Sequence, residues 1–110
     1  VIGLAVGVAE GRMVWYRQHF RNMDRTFKGL LLEEREAIKG RQVFADRWDR
    51  SRIFVLEAMV GGRRRLAPDL AVFLRDSDPG DFFFSRQLVR HDAVALVRSN
   101  RHGHLYRRVE

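Results

Sequence analysis

Small residues recur at four-residue intervals at the start of the chain. Gly3, Gly7 and Gly11 are each four positions apart, so a helix would bring all three to one face. Such a face lets a second helix approach closely, and in lipid this close contact is a main source of helix association. The run Val1–Tyr16 carries only two charges, yet it is shorter than the ~20 apolar residues that span a bilayer. The pattern predicts a short membrane-inserted helix over residues 1–18.

Charged and aromatic residues then follow in the order expected of a helix that leaves a membrane. Arg12 would lie at the level of the headgroups, and Trp15 and Tyr16 would serve as interfacial anchors. The segment Ile2–Val8 also alternates bulky with small residues, which fits a soluble strand with one bulky face. Both alternatives stay open, and the cost of glycine inside a soluble helix favours the membrane-proximal helix.

A long amphipathic charged helix is predicted for residues 19–60. Good helix formers fill Leu30–Lys39, and Asp24 precedes Lys28 at the i,i+4 spacing that supports a helix. Apolar residues recur at steps of three, four and seven, namely Phe20, Met23, Phe27, Leu31, Ile38, Phe44, Ala45 and Trp48. The helix either covers a small core or docks on neighbouring subunits. Within the same region, Ile53–Leu56 fits a buried strand as well as it fits a helix.

The chain changes character at Gly61-Gly62, because both of its prolines and its clearest turn sequences lie beyond this point. Residues 61–110 are expected to form a basic α/β or β-hairpin tail. Candidate strands run over 82–89, 93–97 and 105–109, with a hairpin turn at Asn100–Gly103. The fold expected for the whole chain is therefore mainly α with a small β and loop tail.

Positive charge is carried almost entirely by arginine. Lysine and arginine number 21 against 14 acidic residues, which gives a net charge of +7, and only Lys28 and Lys39 are lysines. Guanidinium groups bind carboxylates and phosphates in bidentate fashion, so acidic proteins, nucleic acid and anionic lipid are the partners to consider. The candidate contacts with such a partner are Arg63, Arg64, Arg65, Arg107 and Arg108.

Enzymatic chemistry is not expected. The chain has no cysteine, which excludes a thiolate nucleophile and cysteine-bound zinc. No acidic or thiolate residue lies at the spacing of a metal site from His91, His102 and His104. We interpret these histidines as turn residues. No serine stands in a nucleophile-elbow pattern, and Gly61-Gly62 does not continue as a phosphate-binding loop. We therefore expect no catalytic residue, no metal site and no cofactor.

The sequence Gly7-Val8-Ala9-Glu10-Gly11, followed by an arginine, aromatic residues around Tyr16 and a long charged helix, resembles subunit e of mitochondrial ATP synthase. Gly7 and Gly11 correspond to the glycine motif of that family, and Gly3 is an additional small position. The resemblance covers the first fifty residues at most. It implies a supernumerary structural subunit of a proton-transporting complex in the mitochondrial inner membrane. Its partners would be neighbouring transmembrane subunits, with anionic lipid as a further contact.

Two other classes of protein remain as alternatives. Arginines of the second half lie among Phe82–Phe84 and Tyr106, and basic strands with aromatic residues suit an RNA-binding component of a ribosomal-type ribonucleoprotein. Three consecutive phenylalanines cannot share one strand face, so part of that run should be buried. The third class is a free, soluble α+β domain that needs no partner.

If the glycine face packs on a membrane helix, Gly7→Leu should disrupt assembly of the host complex, because a leucine side chain prevents the close approach of the two helices. Native gel electrophoresis of detergent extracts measures this directly. Val8→Leu, which lies off the glycine face, serves as the control. Normal assembly of the Gly7→Leu protein would contradict the packing prediction.

Overall fold

The structure is a computed structural model that describes residues 27–110. The helices of this region are α1 (Phe27–Glu33), α2 (Arg35–Ile38), α3 (Arg50–Ile53), which continues as π-helical turns over Phe54–Val60, and α4 (Leu70–Asp76). The strands are β1 (Gln42–Ala45), β2 (Arg63–Leu66), β3 (Phe82–Ser85), β4 (Val94–Asn100) and β5 (Gly103–Arg108).

The five strands form one mixed sheet in the order β2-β1-β3-β5-β4. β1 pairs in parallel with β2 on one side and with β3 on the other, with Phe44 opposite both Arg65 and Phe83. β5 pairs antiparallel with β3 and with β4, and an irregularity in register separates Leu96 from Arg98 on β4. The sheet therefore has a parallel half and an antiparallel half that meet at β3.

Helices cover both faces of the sheet. On one face, α1, α2 and the π-helical turns pack on β1 and β3, with Leu31, Ile38 and Leu56 completely buried against Val43 and Phe82. On the other face, Phe73 of α4 packs on Phe44, Phe83 and Tyr106. The Phe73 ring is stacked on that of Phe83 at 5.0 Å and meets the Phe44 ring edge-on at 5.1 Å. The result is three layers with an apolar core on each side of the sheet.

The expectation of a mainly α chain is wrong: residues 27–110 form an α/β fold around a five-stranded mixed sheet. The helix predicted for residues 19–60 is interrupted after Ile38, because Gly40 adopts a φ of 76° and the chain then enters β1; helical structure resumes at Arg50. Phe44 and Ala45, which a helix would place on one apolar side, point to opposite faces of a strand and enter the two different cores. Of the apolar residues assigned to the predicted helix, Phe27, Leu31, Ile38, Phe44 and Ala45 are buried, Trp48 is half-buried, and Phe20 and Met23 lie outside the described residues. The period of three and four was misleading at Phe44 and Ala45, which belong to a strand.

The C-terminal hairpin lies where the turn chemistry predicts it. β4 and β5 pair antiparallel, with Asn100 opposite Gly103, and the Asn100 side chain accepts hydrogen bonds from the N–H groups of His102 and Gly103. Gly103 is required for a second reason, since a Cβ at this position would lie 2.4 Å from Cζ of Phe84. The turn and the packing of β3 are therefore coupled.

The predicted membrane-inserted helix over residues 1–18 lies outside the described residues. Among residues 27–110, no helix combines the length and the apolar character needed to cross a membrane.

A buried carboxylate connects the amino ends of β1 and β3. Asp81 is only 3% exposed, and its carboxylate accepts hydrogen bonds from the backbone N–H and the side-chain amide of Gln42 at 3.1 and 2.9 Å. It also accepts the N–H of Asp78 at 2.9 Å, while its backbone carbonyl accepts the N–H of Arg108 at 2.8 Å. One residue thus joins β1, the turn before β3 and the end of β5.

Asp81→Asn should lower the free energy of unfolding by about 1–3 kcal/mol, since either orientation of the amide points an NH₂ group at a buried donor. Urea unfolding measures the change. Asp78→Asn is the control, because the Asp78 side chain is exposed and only its backbone joins the network; its effect should stay within about 0.5 kcal/mol. Equal effects of the two substitutions would contradict the role assigned to the Asp81 carboxylate.

Candidate anion-binding site

The order of the strands creates a cleft at one end of the sheet. The connection from β1 leads to β2 on one side, whereas the connection from β2 returns past β1 to β3 on the other side. In open α/β sheets, ligands bind outside the carboxyl ends of the parallel strands where the order reverses in this way. A cleft of about 270 Å³ lies at this position between the ends of β1 and β3.

The cleft is polar at its rim and apolar at its base. Asp46 follows β1 directly, and Ser85, Arg86 and Gln87 continue from β3, so the two strands place these side chains around one opening. Ala67, Pro68 and the two phenylalanines Phe83 and Phe84 complete the lining. Asp46, Arg86 and Gln87 are exposed and able to contact a ligand.

Arg52, at the start of the helical segment after β1, does not line the cleft but is held in a fixed position over Phe84, which does. Its side chain is only 14% exposed, and its guanidinium carbon lies 4.8 Å from the centre of the Phe27 ring and 5.9 Å from that of Phe84. It donates a hydrogen bond to the carbonyl of Arg47 at 3.3 Å. A guanidinium group is therefore partly buried above the aromatic residues of the core.

Three arginines come close enough at this end of the sheet to affect one another electrostatically; we call Arg47, Arg52 and Arg86 the arginine cluster. Burial lowers the pKa of Arg52, and the charges of Arg47 and Arg86 lower it further, against the opposing effect of Asp49 and Asp46. An arginine remains protonated after such a shift. Burial is the largest cause of the shift, and the contributions of Arg47 and Arg86 place both guanidinium groups near enough to Arg52 to act on it.

The acidic residues of the cluster only partly balance its charge. Asp49 caps the helix by accepting the N–H of Arg52 at 2.8 Å, and this hydrogen bond is the first cause of its lowered pKa. The carboxylate of Asp49 lies 3.8 Å from Nε of Arg52. Within residues 27–110, neither Arg47 nor Arg86 has an ion-pair partner. Two exposed guanidinium groups are thus available for a phosphate or a carboxylate.

The arginines that the sequence singled out lie elsewhere. Arg63, Arg64 and Arg65 form most of β2 and are all exposed. Arg107 is exposed beside a second cleft, of about 290 Å³, at the opposite end of the sheet. Arg108 has a structural role: its guanidinium donates to the carbonyls of Leu74 and Ser77 and to the Ser77 hydroxyl.

The aromatic residues proposed for base stacking are not accessible. Phe82, Phe83 and Phe84 are at most 4% exposed, and their rings alternate between the two cores. Tyr106 is buried as well, and its hydroxyl accepts the N–H of Val89 at 2.7 Å. These side chains hold the sheet together and do not form a nucleobase platform.

The histidines make local contacts. Nδ1 of His91 accepts the N–H of Ala93 at 3.0 Å, and Nδ1 of His104 lies 2.7 Å from the Ser99 hydroxyl. Across residues 27–110, no three His, Asp or Glu side chains gather in a group that could hold a metal ion.

Sequence reasoning missed the arginine cluster because Arg86 is distant in the chain from Arg47 and Arg52, and only the pairing of β1 with β3 brings it near them. The one usable signal was the short apolar run Val43–Ala45 followed by Asp46 and Arg47, which is the form of a buried strand ending in polar residues. The proposed helix-packing residues Gly3, Gly7 and Gly11 and the anchors Arg12, Trp15 and Tyr16 lie outside the described residues, and their roles stay predictions.

No protein-family model, curated protein or solved structure matches this chain.

Proposed function

We propose that this chain is a non-catalytic RNA-binding protein, of the kind that serves as a small basic component of a ribonucleoprotein. The observation that carries the proposal is the arginine cluster beside the cleft at the carboxyl ends of β1 and β3. Arg47 and Arg86 have no acidic partner within residues 27–110, and their charges add to the burial that lowers the pKa of Arg52. Phosphate is the anion that such a group of guanidinium donors binds well.

The size of the cleft favours a polymer over a small ligand. Its volume of about 270 Å³ falls below the roughly 300–1,000 Å³ typical of pockets that bury a small molecule. A phosphate with its sugar would fill it, and the rest of the ligand would lie on the surface. The net charge of +7 would attract such a polyanion over a longer range.

Asp46 gives a reason to expect RNA rather than DNA. Its exposed carboxylate lines the same cleft as Arg86 and can only accept hydrogen bonds. A ribose 2′-hydroxyl can donate to it while the adjacent phosphate binds the arginines, and deoxyribose lacks this donor. A carboxylate at a purely phosphate-binding site would only repel the ligand.

Arg86→Ala should weaken binding of a fluorescein-labelled single-stranded RNA, because one phosphate loses its guanidinium partner. The slope of log K against log salt concentration should become shallower by about 0.7, the value for one phosphate contact on a single strand. Fluorescence anisotropy over a series of salt concentrations measures both quantities. Arg75→Ala is the matched control, since Arg75 lies on α4 and pairs with Asp76 at 2.9 Å. An unchanged slope in the Arg86→Ala protein would exclude the cleft as the phosphate site.

Asp46→Ala should reduce the preference for RNA over DNA of the same sequence by about tenfold, as expected when a hydrogen bond to a charged acceptor is lost. DNA should bind the variant at least as tightly as before, because a repulsive charge has been removed, whereas RNA also loses the hydrogen bond from its 2′-hydroxyl. The ratio of the two dissociation constants is the measurement. Asp92→Ala makes the same change of charge at an exposed position that does not line the cleft. An RNA-to-DNA ratio that is near one in the unmodified protein would rule out the role of Asp46.

A further inference from the structure

The outer edge of β2 is an open side of the sheet. β2 pairs with β1 over its full length, from Gln42 opposite Arg63 to Ala45 opposite Leu66, and it has no other strand neighbour within residues 27–110. An open edge exposes a row of backbone donors and acceptors that another extended chain can use.

The orientation of the backbone shows which residues of β2 point outward. The N–H of Arg63 donates to the carbonyl of Arg41 and the N–H of Ala67 donates to that of Ala45, both at 2.9 Å. Because backbone groups alternate along a strand, Arg64 and Leu66 turn their N–H and carbonyl groups away from β1. These two residues would form the hydrogen bonds to an added strand.

The side chains of β2 differ between its two faces. Arg65 lies over the Phe44 ring at 5.4 Å and donates to the side chain of Gln42, so Arg63 and Arg65 share this face. Arg64 lies on the other face, 3.8 Å from Glu57, together with Leu66, which is 63% exposed. One face is therefore cationic, whereas the other has a paired arginine and an exposed apolar side chain.

We propose that β2 binds an extended acidic segment of a partner protein, which adds to the sheet as a sixth strand. Acidic side chains of that segment would lie opposite Arg63 and Arg65, and apolar side chains would alternate with them and cover Leu66. Opposite charges on directly paired residues stabilise a sheet, and like charges destabilise it. β2 ends next to the cleft, since Ala67 and Pro68 follow it directly, but no residue of β2 lines the cleft, so the inference does not depend on the RNA proposal.

The residues of β2 argue against two simpler explanations of this edge, namely pairing with a second copy of the chain and protection against aggregation. A second copy of this chain paired through β2 would bring two runs of three arginines together, which is unfavourable. Charges on an edge strand also serve simply to prevent aggregation. That explanation does not account for Leu66, the apolar residue that follows the three arginines on this edge and is 63% exposed.

The experiment uses the full chain and a fluorescein-labelled peptide of alternating glutamate and valine, with a peptide of alternating lysine and valine for comparison. We expect saturable binding of the acidic peptide alone. Leu66→Pro should weaken that binding about tenfold or more, since proline lacks the outward N–H but keeps the bonds to β1. Leu66→Ala, which retains the N–H, should lose far less. Amide exchange measured by NMR should show protection of Arg64 and Leu66 in the complex.

Several outcomes would overturn the proposal. Failure of the full chain to bind the acidic peptide would mean that the edge is covered or serves only as protection against aggregation. Binding that Leu66→Pro leaves unchanged would be attraction between charges without strand pairing. If the arginines of β2 prove to be needed for RNA binding and not for the peptide, the edge belongs to the nucleic-acid surface. An unchanged thermal midpoint of the Leu66→Pro protein confirms that its sheet is intact.

Discussion

The buried carboxylate of Asp81 fixes the position of β1 relative to β3. It accepts three hydrogen bonds, two of them from Gln42 at the first residue of β1, and its own backbone joins β3 to the end of β5 through Arg108. A buried carboxylate without donors would be strongly destabilising, so the network forms completely or not at all. The register of the two parallel strands is set at their amino ends, and the cleft at their carboxyl ends depends on it.

The pairing of β1 with β3 produces the cleft and requires no strained backbone. Once β1 and β3 are neighbours, Asp46 and Arg86 are the residues that leave the sheet next to each other. The helix after β1 then begins at the Asp49 cap, which places Arg52 above the rings of Phe27 and Phe84. An arginine placed in this way has lost part of its hydration and has gained two positively charged neighbours. The charges of Asp49 and Asp46 oppose the effect of these two neighbours.

Sequence patterns predicted those parts of the fold that local chemistry determines. The hairpin of β4 and β5 was predictable, because Asn100–Gly103 is a turn sequence between alternating runs. β1 was not, since Val43–Ala45 is a short run beside good helix formers, and only burial on both faces makes it a strand. β2 carries no apolar pattern, because three of its four residues are arginines on an open edge. The arginine cluster depends on which strands pair, and no spacing in the sequence encodes that.

The arginines of this chain differ in whether groups of the protein already bind their guanidinium groups. Arg108 is satisfied by backbone carbonyls inside the fold, and Arg98 bridges Glu33 and Glu34 of the α1 region at 2.9 and 2.8 Å. Their removal would first affect stability. Arg47 and Arg86 have no ion-pair partner within residues 27–110, and their charges are two of the smaller causes that lower the pKa of Arg52. Exposed guanidinium groups without an acidic partner remain available to a ligand, which would supply the opposite charge.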